Sequence, residues 1–219
     1  MNGSPDIASM PLVLLGAGGH ARVLLALARA AGMPLYGVCD PGLAAQSVKQ
    51  WDGLQVLGGD DALDRLDPAR TGLINGVGQL VGAQGRRKLY DACRAKGFGF
   101  PVLVHPAAWV APNAELAQGV QVMAGAVVQP GSRIGENSVV NTRAGIDHDC
   151  VIGAHVHIAP GAILCGGVGV GDRAFVGAGA TVIQGLQVGE DAVLAAGAVL
   201  VRNLDAGSRY VGPRENRTD

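Results

Sequence analysis

From Val104 onward an aliphatic residue returns every sixth position: Val104, Val110, Leu116, Val122 and so on to Leu194 and Leu200, seventeen hexads without a miss or an insertion. Four residues after each stands another small or aliphatic residue, from Ala108 through Cys150 and Ala162 to Leu204. Three residues after each stands Gly in eight hexads, Asn in three and Asp in two. These are the residue types that tolerate the left-handed conformation of a tight turn. The pattern predicts a parallel β-helix of short strands and regular corners. The first residue of each hexad points inward, the fourth forms the corner, and the fifth fills the inside of that corner. Three hexads close one triangular coil of 18 residues, and coils stack about 4.8 Å apart. Composition agrees: 35 glycines with only 4% aromatic residues suit tight backbone stacking better than an aromatic-rich core.

Residues 12 to 97 follow another rhythm. LVLLG (12–16), LYGVCD (35–40), LQVLG (54–58) and TGLINGVG (71–78) read as strands. A helix follows the first of them and ends on Gly32, and residues 82–96 read as an amphipathic helix. This alternation predicts a small parallel α/β sheet of Rossmann type. Gly16, Gly18 and Ala21 fit G-x-G-x-x-A, and Asp40 follows 22 residues after Gly18, near the place of a ribose-binding acid. Small residues there let backbone N–H groups and a helix N-terminus approach a pyrophosphate. A dehydrogenase, a site for another nucleotide diphosphate, and a turn that only permits helix–sheet packing all satisfy the pattern. The shortness of the region favours a single nucleotide half-site. The expected division is a tail at 1–10, the α/β domain at 11–101, the β-helix at 102–205 and a tail at 206–219.

Net charge of −1 and a pI near 6.5 leave no electrostatic footprint for nucleic acid or an anionic membrane. The four cysteines form neither a C-x-x-C pair nor a disulfide framework. The first ten residues lack the basic and apolar regions of a signal peptide, and no apolar run approaches the ~18 residues of a membrane span. A soluble cytoplasmic protein is the expectation.

Three of the five histidines fall within residues 148–157, and the hexads separate them. His148 is the third residue of its hexad and stands outward at a corner beside Asp149. His155 occupies the next corner, where a solvated side chain is expected. His157 precedes the inward Ile158 and is expected to face out. Successive corners are roughly 15 Å apart at ~3.3 Å per residue, whereas metal ligands converge within about 2.1 Å of one ion. His148 and His155 of one chain therefore cannot share a metal, and a metal would need ligands from neighbouring subunits. An outward imidazole beside a carboxylate suits a general base. Asp149 also occupies a corner position where Gly, Asn and Asp predominate, so a turn role and a chemical role both remain open. Gly166, one coil above His148, is expected to leave space beside the imidazole.

GAGGHARV (16–23), NTRAGIDHDCVIGAHVHIAPGAILCGG (141–167) and VGAGATVI (176–183) together resemble the acetyltransferases of nucleotide-activated amino sugars. These include UDP-linked bacillosamine-type and GDP-perosamine N-acetyltransferases, with sialic acid O-acetyltransferases in the same group. The resemblance implies a left-handed hexapeptide-repeat helix after a Rossmann-like half domain. It implies acetyl-CoA as co-substrate and a homotrimer with acetyl-CoA in the groove between two prisms. His148 matches the general base and Asp149 the acid that raises its basicity. His157, Gly166, Ala178 and Ala196 match acetyl-CoA contacts; Gly18, Gly19, His20, Asp40 and Gly78 match the sugar-nucleotide site. The UDP-sugar relatives carry paired acids after the second strand. Here Pro41 follows Asp40, which sets UDP in doubt and keeps GDP open. The tail GPRENRTD lacks the Pro-Ala usual after the final Gly. The alternatives are sugar O-acetylation, a γ-type carbonic anhydrase with zinc, a nicotinamide oxidoreductase and a non-catalytic scaffold.

Overall fold

The computed structural model describes Ile7 and residues 10–212. The expected tails at 1–10 and 206–219 lie outside the described residues, apart from Ile7, Met10 and 206–212. The chain forms two compact units, Met1–Pro106 and Ala107–Asp219.

In the first unit the elements run β1 (Leu12–Leu15), α1 (Gly19–Ala30), β2 (Leu35–Cys39), α2 (Pro41–Ala45), β3 (Gln50–Trp51), β4 (Leu54–Gly58), β5 (Gly72–Asn75) and α3 (Gly85–Ala95). The sheet order is β3-β4-β2-β1-β5, parallel except for the β3–β4 hairpin. β1 pairs with β2 on one side and with β5 on the other. The strand order therefore reverses at β1, and a crevice opens outside the carboxyl ends of β1 and β5, where ligands bind in open α/β sheets. One side of the sheet packs Val13, Leu15, Leu73, Tyr90, Phe98 and Phe100 into a core, with Tyr90 and Phe100 ring centroids 4.6 Å apart. Burial there pushes the Cys39 and Cys93 thiols up to about 11.

Two elements differ from the sequence expectation. The strand expected over 71–78 stops at Asn75, and the next residue, Gly76, packs so closely that a side chain would meet Leu15 O. Pro41 opens a short helix, with Asp40 as its N-cap and Pro at the first helical position. An acceptor side chain followed by Pro is itself a helix-start signal.

The second unit repeats a two-residue strand every six residues. Strands 18 residues apart pair in parallel: Val127 with Gly145, Gly145 with Ile163, Ile163 with Thr181 and Thr181 with Val199. From Val122 to Leu200 every first-position aliphatic is at most 3% exposed, so the hexad rhythm is the core of a triangular prism. The fourth position has positive φ in every hexad from Gly119 to Gly197. Six of these residues are not glycine: Asn137, Arg143, Asp149, His155, Arg173 and Asp191. The corner geometry thus belongs to the position, and the coil imposes it on Arg and His as well as on Gly, Asn and Asp. This unit has the parallel-strand architecture of left-handed hexapeptide-repeat helices, following an α/β first unit.

Candidate active site

The turn Asp147–Cys150 carries the densest chemistry of the prism. His148 Nδ1 lies 2.9 Å from Asp149 Oδ2, and Asp147 Oδ1 accepts the His148 backbone N–H at 2.8 Å. The hydrogen bond to Asp149, supported by the Asp147 charge, raises the imidazole above the ordinary histidine value. Both side chains are largely exposed. With Nδ1 committed to the carboxylate, the neutral ring carries its proton there and leaves the Nε2 lone pair available.

Nε2 faces Gly166: a Cβ built on Gly166 would lie 2.5 Å from it and 2.6 Å from Cε1. The space expected beside the imidazole is therefore occupied by the imidazole itself, because only a residue without a side chain admits the ring. Asp149 has φ 57° and its carboxylate lies over Gly131, one coil below. It serves the turn and the histidine at once. Alongside, a shallow depression of about 230 Å³ is lined by Val127, Gln129, Gly145, Asp147, Ile163 and Leu164.

The other two histidines depart from expectation. His157 is buried, with 7% exposure. Its ring stacks on Phe175 with centroids 5.0 Å apart and 6° between planes, and its Nε2 is 3.5 Å from Asn141 Nδ2. Strand alternation does turn it away from the prism interior, but Gln121 and Val139 in the same column are buried too, so that face is covered. His155 is half-buried, and its Nδ1 lies 3.0 Å from Asn137 Nδ2 one coil below. It belongs to a side-chain ladder along its corner column. Ala178 and Ala196 are exposed and stacked one coil apart on a different corner, with Gly197 N–H donating to Ala178 O at 2.8 Å. Among the described residues no three His, Cys, Asp or Glu side chains come together as a metal-ligand set. Among the same residues no helix is long and apolar enough to cross a membrane.

In the first unit, Gly18 caps α1 and a side chain on Gly18 or Gly19 would meet nothing within 4 Å. No side chain caps that helix end and its first turn carries no acid, an arrangement that suits a helix N-terminus facing an anion. Gly78, after β5, lies against the other wall of the crevice: a Cβ there would be 3.4 Å from His20 Cβ. Asp40 works locally, accepting Ala17 N–H at 2.9 Å with one oxygen and Leu43 N–H at 2.9 Å with the other. It ties the glycine loop to the start of α2. Sequence reasoning missed the pair that holds the opposite loop. The buried Arg86 Nη1 donates to Asn75 O and Val77 O, both at 2.9 Å, and Asn75 Nδ2 donates to Arg86 O at 3.0 Å. Arg86 reads as one more polar residue of an amphipathic helix, and only the Asn closing a strand hints at the clamp.

Residues 11–92 match the PglD N-terminal domain. Residues 131–166 match the bacterial transferase hexapeptide of six repeats, and residues 167–202 the hexapeptide repeat of succinyl-transferase. The acetyltransferase domain of PglB from Neisseria gonorrhoeae is 37% identical with a TM-score of 0.84, covering 91% of this chain and 95% of that one. The chain belongs to the hexapeptide-repeat acetyltransferases with a PglD-type N-terminal domain. The PglB domain has also been solved with acetyl coenzyme A. PerB from Caulobacter crescentus, solved with CoA and GDP-perosamine, is 37% identical with a TM-score of 0.83, covering 92% of this acetyltransferase and 94% of PerB. That Caulobacter enzyme is also known with one histidine replaced by alanine.

Proposed function

We propose that the protein transfers the acetyl group of acetyl-CoA to the amino group of a nucleotide-linked 4-amino-4,6-dideoxy sugar, such as GDP-perosamine, in the biosynthesis of a surface polysaccharide or glycan. The observation that carries this reading is the His148–Asp149 pair, a largely exposed imidazole with Nδ1 held by the carboxylate and Nε2 beside Gly166. It occurs in a chain 37% identical to an enzyme solved with CoA and GDP-perosamine.

Neutral His148 takes a proton at Nε2 from the sugar amine as its nitrogen attacks the thioester carbonyl. The C–N bond forms, the C–S bond breaks, and the imidazolium returns the proton to the departing thiolate. No covalent enzyme intermediate is needed, and holding the two substrates together supplies much of the rate. Asp149 keeps the ring in the tautomer that leaves Nε2 unprotonated. Gly166 seats the ring, and the exposed Ala178 and Ala196 contribute to the acetyl-CoA site, whereas the covered His157 supports it from beneath through its stack on Phe175.

The sugar nucleotide uses the crevice at the carboxyl ends of β1 and β5, through Gly18, Gly19, His20 and Gly78. Asp40 fixes the glycine loop there, and its carboxylate retains lone pairs for the ligand. Pro41 in place of a second acid after Asp40 sets UDP in doubt and keeps GDP open. A homotrimer with acetyl-CoA between neighbouring prisms is part of the proposal, and sedimentation equilibrium tests it.

The deciding experiment measures thiol release from acetyl-CoA against UDP-, GDP-, dTDP- and CMP-linked sugars bearing free amines, with sialic acid as a hydroxyl acceptor. Release is expected with a GDP- or UDP-linked 4-amino sugar. Release only with sialic acid would reassign the protein as an O-acetyltransferase, and release with no acceptor would overturn the reading.

A further inference from the structure

The corner turns of the prism close in two ways. In one corner column they close on themselves: Ala126 N–H donates to Met123 O at 3.1 Å, Ala144 N–H to Asn141 O at 3.0 Å and Ala162 N–H to Ala159 O at 3.1 Å. The turn that carries His148 is closed through a side chain instead. Ser132, one coil below and fully buried, donates its hydroxyl to Asp147 O at 2.7 Å and accepts Cys150 N–H at 3.1 Å. These are the two backbone groups that meet directly in the self-closing turns, so an oxygen stands between the ends of the His148 turn.

One coil higher the arrangement repeats with sulfur. Cys150 is fully buried, its Sγ donates to Cys165 O at 3.3 Å, and the Val168 N–H is directed at the same sulfur. That turn carries Gly166, against which the imidazole rests. A hydroxyl and a thiol in one inner column thus span the two turns between which the His148 ring is held.

We infer that Ser132 and Cys150 are positioning residues for His148, setting the width of the turn that bears the imidazole and of the turn that seats it. This rests on the reading of His148 as the base. Removing the hydroxyl leaves Asp147 O and Cys150 N–H to lose their partner or to draw together into a direct bond. Drawing together narrows the turn and carries His148 and Asp149 with it. The chemistry is sensitive to such shifts, since about 1 Å of misplacement costs on the order of a hundredfold in rate.

The protein contains its own control. Ser138 makes the same insertion at the next corner, donating to Gly153 O at 2.9 Å and accepting Val156 N–H at 2.9 Å. It is equally buried, but the turn above it carries His155.

The test is steady-state kinetics with acetyl-CoA and the accepted amino-sugar nucleotide, together with thermal melting, on Ser132→Ala, Ser132→Cys, Cys150→Ala, Cys150→Ser, Ser138→Ala and His148→Ala. Ser132→Ala is expected to lower kcat about tenfold to a hundredfold while KM for acetyl-CoA stays within about threefold. Ser132→Cys recovers most of the loss, because Cys150 already spans the equivalent gap with sulfur. Ser138→Ala lowers Tm by a similar amount and keeps kcat near wild type. Equal kcat in Ser132→Ala and Ser138→Ala overturns the inference, and so does a Ser132→Cys variant no better than Ser132→Ala. If Ser132→Ala does not fold, Cys150→Ala against Cys150→Ser decides in the same way. His148→Ala separates the two levels. Turnover there removes the base assignment and the inference together, whereas an inactive His148→Ala with a fully active Ser132→Ala removes the inference alone.

Discussion

His148 and His155 stand on neighbouring corners of one prism, one hexad position apart, and the fold gives them opposite work. His155 occupies the fourth position, with φ 57°, and its ring meets Asn137 on the coil below. His148 occupies the third position, and its ring reaches Gly166 on the coil above. At the His148 corner the fourth position belongs to Asp149, also at φ 57°. Its carboxylate lies over the corner below while still holding Nδ1. A fourth-position side chain is tied to the column of corners, whereas the third-position His148 rests against the glycine of the coil above. Position in the hexad, more than residue type, decides which histidine is placed for the proposed chemistry.

The most severe way to break this contrast is to remove each ring. His148→Ala is expected to lower kcat by about 10²–10⁴-fold, the usual contribution of a general base. His155→Ala should leave kcat within about threefold and lower Tm, since it deletes a ladder contact. Comparable kcat losses in the two variants would erase the distinction. Next in size is Gly166→Ala, whose Cβ would lie 2.5 Å from Nε2. Because the imidazole is exposed it can swing aside, so Tm should change little while kcat falls roughly tenfold to a hundredfold.

Asp149→Asn is a gentler probe, since Asn tolerates the left-handed corner but carries no charge. Asp149 and Asp147 raise the His148 pKa, and a base works in its neutral form, so activity should rise with pH through that raised value. The Asn variant should move this rising limb to lower pH and lower the plateau, as a weaker base would. An unmoved limb would show that Asp149 serves only the turn. The pair's contribution to folding has the opposite slope. A histidine pKa raised by folding stabilises at pH below the unfolded value, and that stability is lost as pH rises through the folded value. The wild-type advantage in Tm over Asp149→Asn should therefore be larger in acid than in mild base.

The smallest effect concerns the ladder column itself. Arg173 sits at φ 60°, bonds Asp191 through Nε and Nη2 at 3.0 Å each, and also pairs with Glu190. Arg173→Ala keeps the backbone strain and loses the ion pairs, whereas Arg173→Gly loses the pairs but relieves a left-handed cost of about 1 kcal/mol. Melting curves should rank wild type and Arg173→Gly close together, above Arg173→Ala, with kcat unchanged in all three.

Legibility differed between the units for a physical reason. In the prism each residue's environment repeats after 18 positions, so columns could be read off the chain: His148 under Gly166, Ala178 under Ala196. In the α/β unit the Gly16–Ala21 loop was legible because tight turns restrict residue type. The bonds that the Asp40 carboxylate accepts from Ala17 and Leu43 were not. Neither was the Asn75–Arg86 clamp, which depends on where α3 lies against β5.

From the order of residues alone come the six-residue period, the inward aliphatics, the left-handed corners and the glycine loop after β1, all of which follow from local backbone geometry repeated without interruption. Tertiary structure decided the rest: which way a corner side chain turns, that His157 is covered, that Ser132 enters the turn above it, and that the imidazole fills the place over Gly166. Those outcomes depend on the residue one coil away and on which faces are covered, and neither is a property of any single hexad.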